Sequence, residues 1–239
     1  MKLTAVKDYV SMSNEATSLI IQVMRENEGG LFCFAGGDTP VGTLEELVKA
    51  HKNQDIDLHK YHYIELDEWV GLGEEDEGSC IQYLNHYLFQ PAEIPKENYH
   101  VFNAKSENLA KECRLADVYI KENGGLTLSL LGVGVNGHLG FNEPGVDFKQ
   151  TAHIVELQES TKEVGQKYFD GSYEIDKGIT LGISQLFASK YLILLANGET
   201  KRRAVEKLLK VDQADSRWPV TIVKEHSNSY AFIDNNLLH

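Results

Sequence analysis

The chain has 239 residues, of which 42% are hydrophobic and 25% charged, so it can bury a sizeable core and reads as an ordinary globular protein. A formal net charge of −13 argues against nucleic acid and anionic lipid as partners, because such a surface repels polyanions. No apolar run reaches bilayer length, and the opening MKLTAVKDYVSMSN has no hydrophobic signal core, so a cytoplasmic location with no membrane partner is expected.

The elements alternate along the chain. Ala16, Leu19, Ile20, Val23 and Met24 form an apolar stripe at helical spacing. Residues 31–35 (LFCFA) then read as a strand covered on both faces, since the run is continuously apolar. Gly36-Gly37-Asp38-Thr39-Pro40 follows, before a helix predicted from near Val41. Paired glycines let backbone approach a ligand, and N–H groups at a helix start attract an anion. A plain turn with Thr39 as N-cap and Pro40 at the first helical position accounts for the same residues equally well. Asp38 suits a phosphate cradle only if its side chain turns away.

Residues 61–66 (YHYIEL) give the next strand and run into Asp67-Glu68-Trp69. A carboxylate at a strand end is a candidate general base. Taken alone, a solvated acidic loop is the simpler account, because Glu74, Glu75, Asp76 and Glu77 follow and read as a surface turn. Leu109, Cys113, Ala116 and Ile120 form a second helical stripe, ahead of the strand at 126–131 (LTLSLL).

After that strand comes Gly132-Val133-Gly134-Val135-Asn136-Gly137-His138, running on to Phe141-Asn142-Glu143-Pro144-Gly145. The glycines match GxGxxG, but a dinucleotide fingerprint opens directly into a helix, and this segment continues as an irregular loop. His138 and Glu143 form a candidate acid/base pair; a metal site lacks a third ligand. The strand at 191–196 (YLILLA) leads to Asn197-Gly198-Glu199-Thr200-Lys201, which puts Lys201 near the start of the helix carrying Ala204, Val205, Leu208 and Leu209. There the helix dipole and an ammonium would act together on a phosphate. Residues 230–233 (YAFI) supply a last strand.

This alternation predicts a single-domain α/β fold over residues 1–239: a three-layer, doubly wound, mostly parallel sheet with helices on both faces. No repeat or linker divides it. Ligands in such folds bind beyond the carboxyl ends of the strands, where all four polar loops are expected to converge. Cys33, Cys80 and Cys113 are odd in number and widely spaced, as buried or half-buried thiols of a reducing compartment would be.

With these segments in hand, the sequence resembles the glucosamine-6-phosphate deaminase family, which also includes 6-phosphogluconolactonases. The likeness covers nearly the whole chain, through GGDTP (36–40), LDEWVGL (66–72), LGVGVNGHLGFNEPG (131–145), ITLGIS (179–184) and the 198–201 turn. LDEWV, GSC at 78–80, the 177–182 stretch and His226-Ser227-Asn228 look closer to galactosamine-6-phosphate deaminase/isomerases, whereas AGGDTP has a lactonase look.

The resemblance implies roles. Asp67 would move the C2 proton to C1. His138 and Glu143 would open the sugar ring, with Asn136, where many members carry Asp, orienting His138. Gly36, Gly37, Asp38, Thr39 and Lys201 would form the phosphate side of the site. Lys167 stands where some glucosamine-specific members have Arg, and a lysine lacks the bidentate fork. No metal or cofactor is required, since the substrate's own nitrogen serves as the electron sink. The expected partner is a phosphorylated amino sugar, with galactosamine 6-phosphate favoured over glucosamine 6-phosphate. A lactonase and a non-catalytic sugar-phosphate-binding module are the competing readings. The short stretch after the last strand predicts a monomer or small homo-oligomer.

Overall fold

In the computed structural model, which describes residues 1–169, 173 and 175–239, the chain runs β1 (Lys2–Val6), α1 (Tyr9–Glu26), β2 (Leu31–Phe34), α2 (Val41–Lys52), β3 (His62–Glu65), β4 (Asp67–Trp69), α3 (Cys80–Leu84), β5 (Tyr99–His100), α4 (Leu109–Glu122), β6 (Leu126–Gly132), β7 (His153–Glu156), α5 (Glu159–Gly165), β8 (Lys177–Thr180), α6 (Ile183–Phe187), β9 (Tyr191–Ala196), α7 (Arg202–Lys210) and β10 (Ser229–Asp234).

Seven strands form one sheet in the order β1-β10-β9-β6-β2-β3-β5. Every pairing in it is parallel. The alternation of side chains explains why its inner strands are apolar throughout. Phe32 and Phe34 pack with α1, α2 and α3 on one face. Leu31 and Cys33, one residue out of phase, pack with α4, α6 and α7 on the other. The expected three-layer α/β arrangement is therefore present. A second sheet, β4-β8-β7, is antiparallel. It covers a small cluster that includes Trp69, Phe141 and Phe169.

The direction in which successive strands are added reverses between β2 and β6. From β2 the strands proceed outward through β3 to β5, and from β6 they proceed the other way through β9 to β10. In doubly wound sheets a reversal of this kind is where the loops after neighbouring strands form the ligand crevice. Leu66 joins the two sheets: its N–H donates to Phe34 O at 3.1 Å, and its carbonyl accepts from Leu181 N at 2.9 Å.

Local differences from the sequence expectation have physical causes. Pro40, not Thr39, is the N-cap of α2, and no side chain caps that helix. Leu209 lies on the exposed side of α7, while Ala204, Val205 and Leu208 are buried. In the 74–77 run Glu74, Glu75 and Glu77 are exposed as expected, but Asp76 turns inward. Its Oδ2 accepts from Gly73 N at 2.8 Å and pairs with Lys105 at 2.6 Å. The three cysteines are free and buried.

Candidate active site

The loops after β2, β3, β6 and β9 line one cleft that opens to solvent. Gly36, Gly37, Asp38 and Thr39 come from the first loop, Asp67 from the second, Gly134 and His138 from the third, and Lys201 from the fourth. Segment α5 and the residues after it close one side through Ser160, Thr161, Val164 and Tyr168.

Asp67 opens β4 opposite Thr180 of β8. It is 7% exposed. Burial first, and then the charge of Glu68, push its carboxyl up to about 8. Glu68 faces away from the cleft: its oxygens accept the N–H groups of Trp69 (2.8 Å), Cys80 (3.0 Å) and Ile81 (2.9 Å). The sequence run DEW thus divides into one carboxyl for the cleft and one for the start of α3.

The glycine-rich loop runs from β6 through β7 without a helix before α5, so it lacks the strand-to-helix junction of a dinucleotide fingerprint. It folds back on itself: Gly134 N donates to His138 O, and Gly137 N to Gly134 O, both at 3.0 Å. The His138 ring lies so close over Gly134 that a Cβ there would run into it. Nδ1 of His138 is 3.2 Å from Thr161 Oγ1 and 3.6 Å from Glu143 Oε2. The amide of Asn136 donates to Glu143 Oε2 at 2.8 Å, and its Oδ1 accepts from the His138 backbone N–H at 3.1 Å. Asn136 therefore reaches His138 through the main chain, and the ring itself faces Thr161 and Glu143. Burial opposes ionisation of Glu143, but hydrogen bonds from His138, Thr161 and Asn136 and the His138 charge outweigh it and hold its pKa below the usual value.

Lys201 precedes α7, in a turn at 199–201. Desolvation, then repulsion from Lys167, pull its ammonium down to about 8 against the attraction of Asp38. Among the described residues it has no carboxylate within ion-pair distance, whereas Lys167 is held by Asp38 at 2.7 Å. The other oxygen of Asp38 accepts from Tyr83 OH at 3.0 Å, so its carboxylate is engaged by Lys167 and Tyr83. Lys167 also lies over the Tyr168 ring, 4.4 Å from its centroid. Thr39 sits against Gly132, at the reversal between β2 and β6. Thr161, Tyr83 and Tyr168 carried no sequence signal, because lone hydroxyl residues outside a motif look like any surface position.

A family model described as glucosamine-6-phosphate isomerases/6-phosphogluconolactonase matches residues 9–232. The chain belongs to this family. It is 34% identical over 239 residues to a glucosamine-6-phosphate deaminase of Oceanobacillus iheyensis, covering all of this chain and 95% of that one. A glucosamine-6-phosphate deaminase of Clostridium botulinum is also 34% identical, over 98% of this chain and 96% of its own. Among solved structures, one described as a monomeric glucosamine-6-phosphate deaminase superposes with a TM-score of 0.95 at 30% identity, covering 100% of this chain and 99% of that one. A 6-phosphogluconolactonase of Thermotoga maritima superposes with a TM-score of 0.78 at 21% identity, over 98% and 99%, a likeness of fold.

Proposed function

We propose that this protein is an amino-sugar-6-phosphate deaminase/isomerase. The observation that carries the reading is one cleft lined both by a carboxyl raised to about 8, Asp67, and by an ammonium, Lys201, with no carboxylate partner among the described residues. The first is suited to moving a carbon-bound proton and the second to holding a phosphate.

In this reading Lys201 and the backbone of Gly36, Gly37 and Thr39, ahead of α2, hold the phosphate. Asp38 contributes by its main chain and by fixing Lys167. His138, supported by Thr161, Glu143 and Asn136, exchanges protons with O1 and the ring oxygen, which opens the pyranose. Asp67 takes the proton from C2, leaving an enolamine, and returns it to C1. The product is a C2 imine, and one water converts it to ammonia and a ketose 6-phosphate. Each proton that leaves the sugar returns to it, so these residues need no outside reductant or oxidant.

Glucosamine 6-phosphate, giving fructose 6-phosphate, is the substrate supported by the names of relatives aligned over nearly their whole length. Galactosamine 6-phosphate, giving tagatose 6-phosphate, is a second reading: Trp69, Gly78 and Cys80, from the segments that resemble galactosamine enzymes, line the cleft. His226, another of those markers, bonds Ser189 O at 2.8 Å and Asn228 N at 3.1 Å, outside the cleft lining, and so adds nothing to it. Three free buried thiols support a cytoplasmic setting. The monomeric relative supports a monomer or small homo-oligomer, which light scattering tests.

The decisive assay supplies both amino-sugar phosphates and measures ammonia and ketose phosphate. Ammonia from neither defeats the proposal. Faster turnover of the galacto epimer reverses the order of the two substrates. A lactonase has no C2 proton to move and would keep most of its activity in Asp67→Asn, whereas the deaminase would lose it.

A further inference from the structure

Two more carboxyls lie beneath Asp67, and the proposed chemistry uses neither. Glu65 ends β3 and Glu68 lies in β4; both are fully buried, and the charge of Glu68 acts directly on Glu65. Neither takes part in an ion pair among the described residues. Two carboxylates in contact in a dry interior cannot both ionise, so the pair must keep a proton.

Their surroundings decide which member keeps it. Glu68 accepts three backbone N–H groups, those of Trp69, Cys80 and Ile81. Glu65 accepts one, from Phe102 N to Oε2 at 2.9 Å, and its Oε1 meets no donor. N–H donors favour the ionised form, and an oxygen without a donor is where an O–H belongs.

We infer that Glu65 is a positioning residue of this site: as a neutral acid it donates its O–H to Glu68, and so maintains one fixed negative charge, that of Glu68, beside Asp67. The inference rests on the reading of Asp67 as the base. Burial raises all three carboxyls, and the charge of Glu68 adds to the rise at Asp67, which reaches about 8. Among the described residues, the thiols of Cys33 on β2 and Cys80 on α3 also face the cluster, both held protonated by burial and by these same carboxyls. Thr180 on β8 and Gly140 in the glycine-rich loop pack against Asp67 and carry no charge. The cations on the same cleft are Lys201 and, when protonated, His138.

Glu65→Gln tests this with little change of shape, since its amide donates to Glu68 and accepts from Phe102. Wild-type protein must hold a proton on Glu65 to fold, whereas the variant is neutral at every pH. A carboxyl whose folded pKa is raised gives its full stability below the unfolded value, about 4.3, and loses it as pH rises. The melting-temperature gap, variant minus wild type, is therefore expected to widen in favour of the variant as pH rises above about 4.3. A gap that is flat or narrows with pH overturns the inference. This measurement needs no turnover, so it decides on Glu65 even if the proposed reaction is wrong.

The pH–rate profile tests the link to Asp67. Glu65→Gln is expected to leave the acid limb where wild type has it. Glu68→Gln removes the fixed charge and is expected to move that limb about one unit lower. A comparable downward move in Glu65→Gln would show that Glu65 is itself ionised and overturns the inference. If Glu68→Gln fails to fold for want of its three N–H contacts, the two measurements on Glu65→Gln decide alone.

Discussion

Burial brings both Asp67 and Lys201 to about 8, so the roles proposed for them predict opposite limbs of activity. A base must be ionised, so kcat/KM rises as pH approaches about 8 from below. A phosphate-holding ammonium must be protonated, so kcat/KM falls above about 8. The expected profile is a narrow bell near pH 8, and a broad plateau from about 6 to 10 would contradict these assignments. Asp67→Asn is expected to lower kcat by about 10²–10⁴ with little change in KM, which steady-state kinetics reads directly. Lys201→Ala should raise KM for the phosphorylated sugar by at least about tenfold and flatten the alkaline limb. Thr161→Val removes the hydroxyl 3.2 Å from His138 Nδ1 and should slow turnover several-fold, about 0.5–1.5 kcal/mol. Asp67, His138, Glu143 and Lys201 could be singled out from sequence because each stands in a polar loop just after an apolar run. Thr161 could not: it belongs to α5, far along the chain, and only folding lays it against the ring.

The glycine-rich loop is shaped by one close approach. Its Gly134 leaves room for the His138 ring, so Gly134→Ala is expected to displace the imidazole. Overpacking of this kind costs about 1–3 kcal/mol. The variant should therefore melt lower and lose turnover more than it loses phosphate affinity, measured by calorimetry. The inner strands were readable as elements because burial on both faces demands unbroken apolar runs, as in LFCFA and YLILLA. The remaining strands lacked that demand. Four of the five residues of β1 are exposed, and β7 alternates between exposed and half-buried positions. In β4 the buried side chains include two carboxyls, which no hydrophobicity pattern reports.

The whole molecule carries a charge of −13 and is read as binding a dianion. Its global field opposes the phosphate, so affinity for inorganic phosphate would report the local site. Phosphate at about 100 times its Kd should stabilise the fold by about 2.7 kcal/mol, seen as a rise in melting temperature. Lys201→Ala should abolish that rise, and an equal rise in the variant would place the anion elsewhere. At this scale much was legible: alternating strands and helices imply a doubly wound sheet, and such a sheet implies ligand loops along one edge. The location of the reversal, between β2 and β6, was not, because strand order depends on long-range pairings that local patterns do not encode.

Leu66 is hydrogen-bonded to both sheets at once. Everything proposed to grip the phosphate hangs from the parallel sheet, and the proposed base hangs from the antiparallel one. The cleft is thus a vice with two separately mounted jaws, one for the unreactive tail of a sugar phosphate and one for its reacting head. Mutation can remodel the second jaw while the first keeps its hold. A single fold can in this way pass a constant handle among different chemistries, and the boundary between them would be one residue wide.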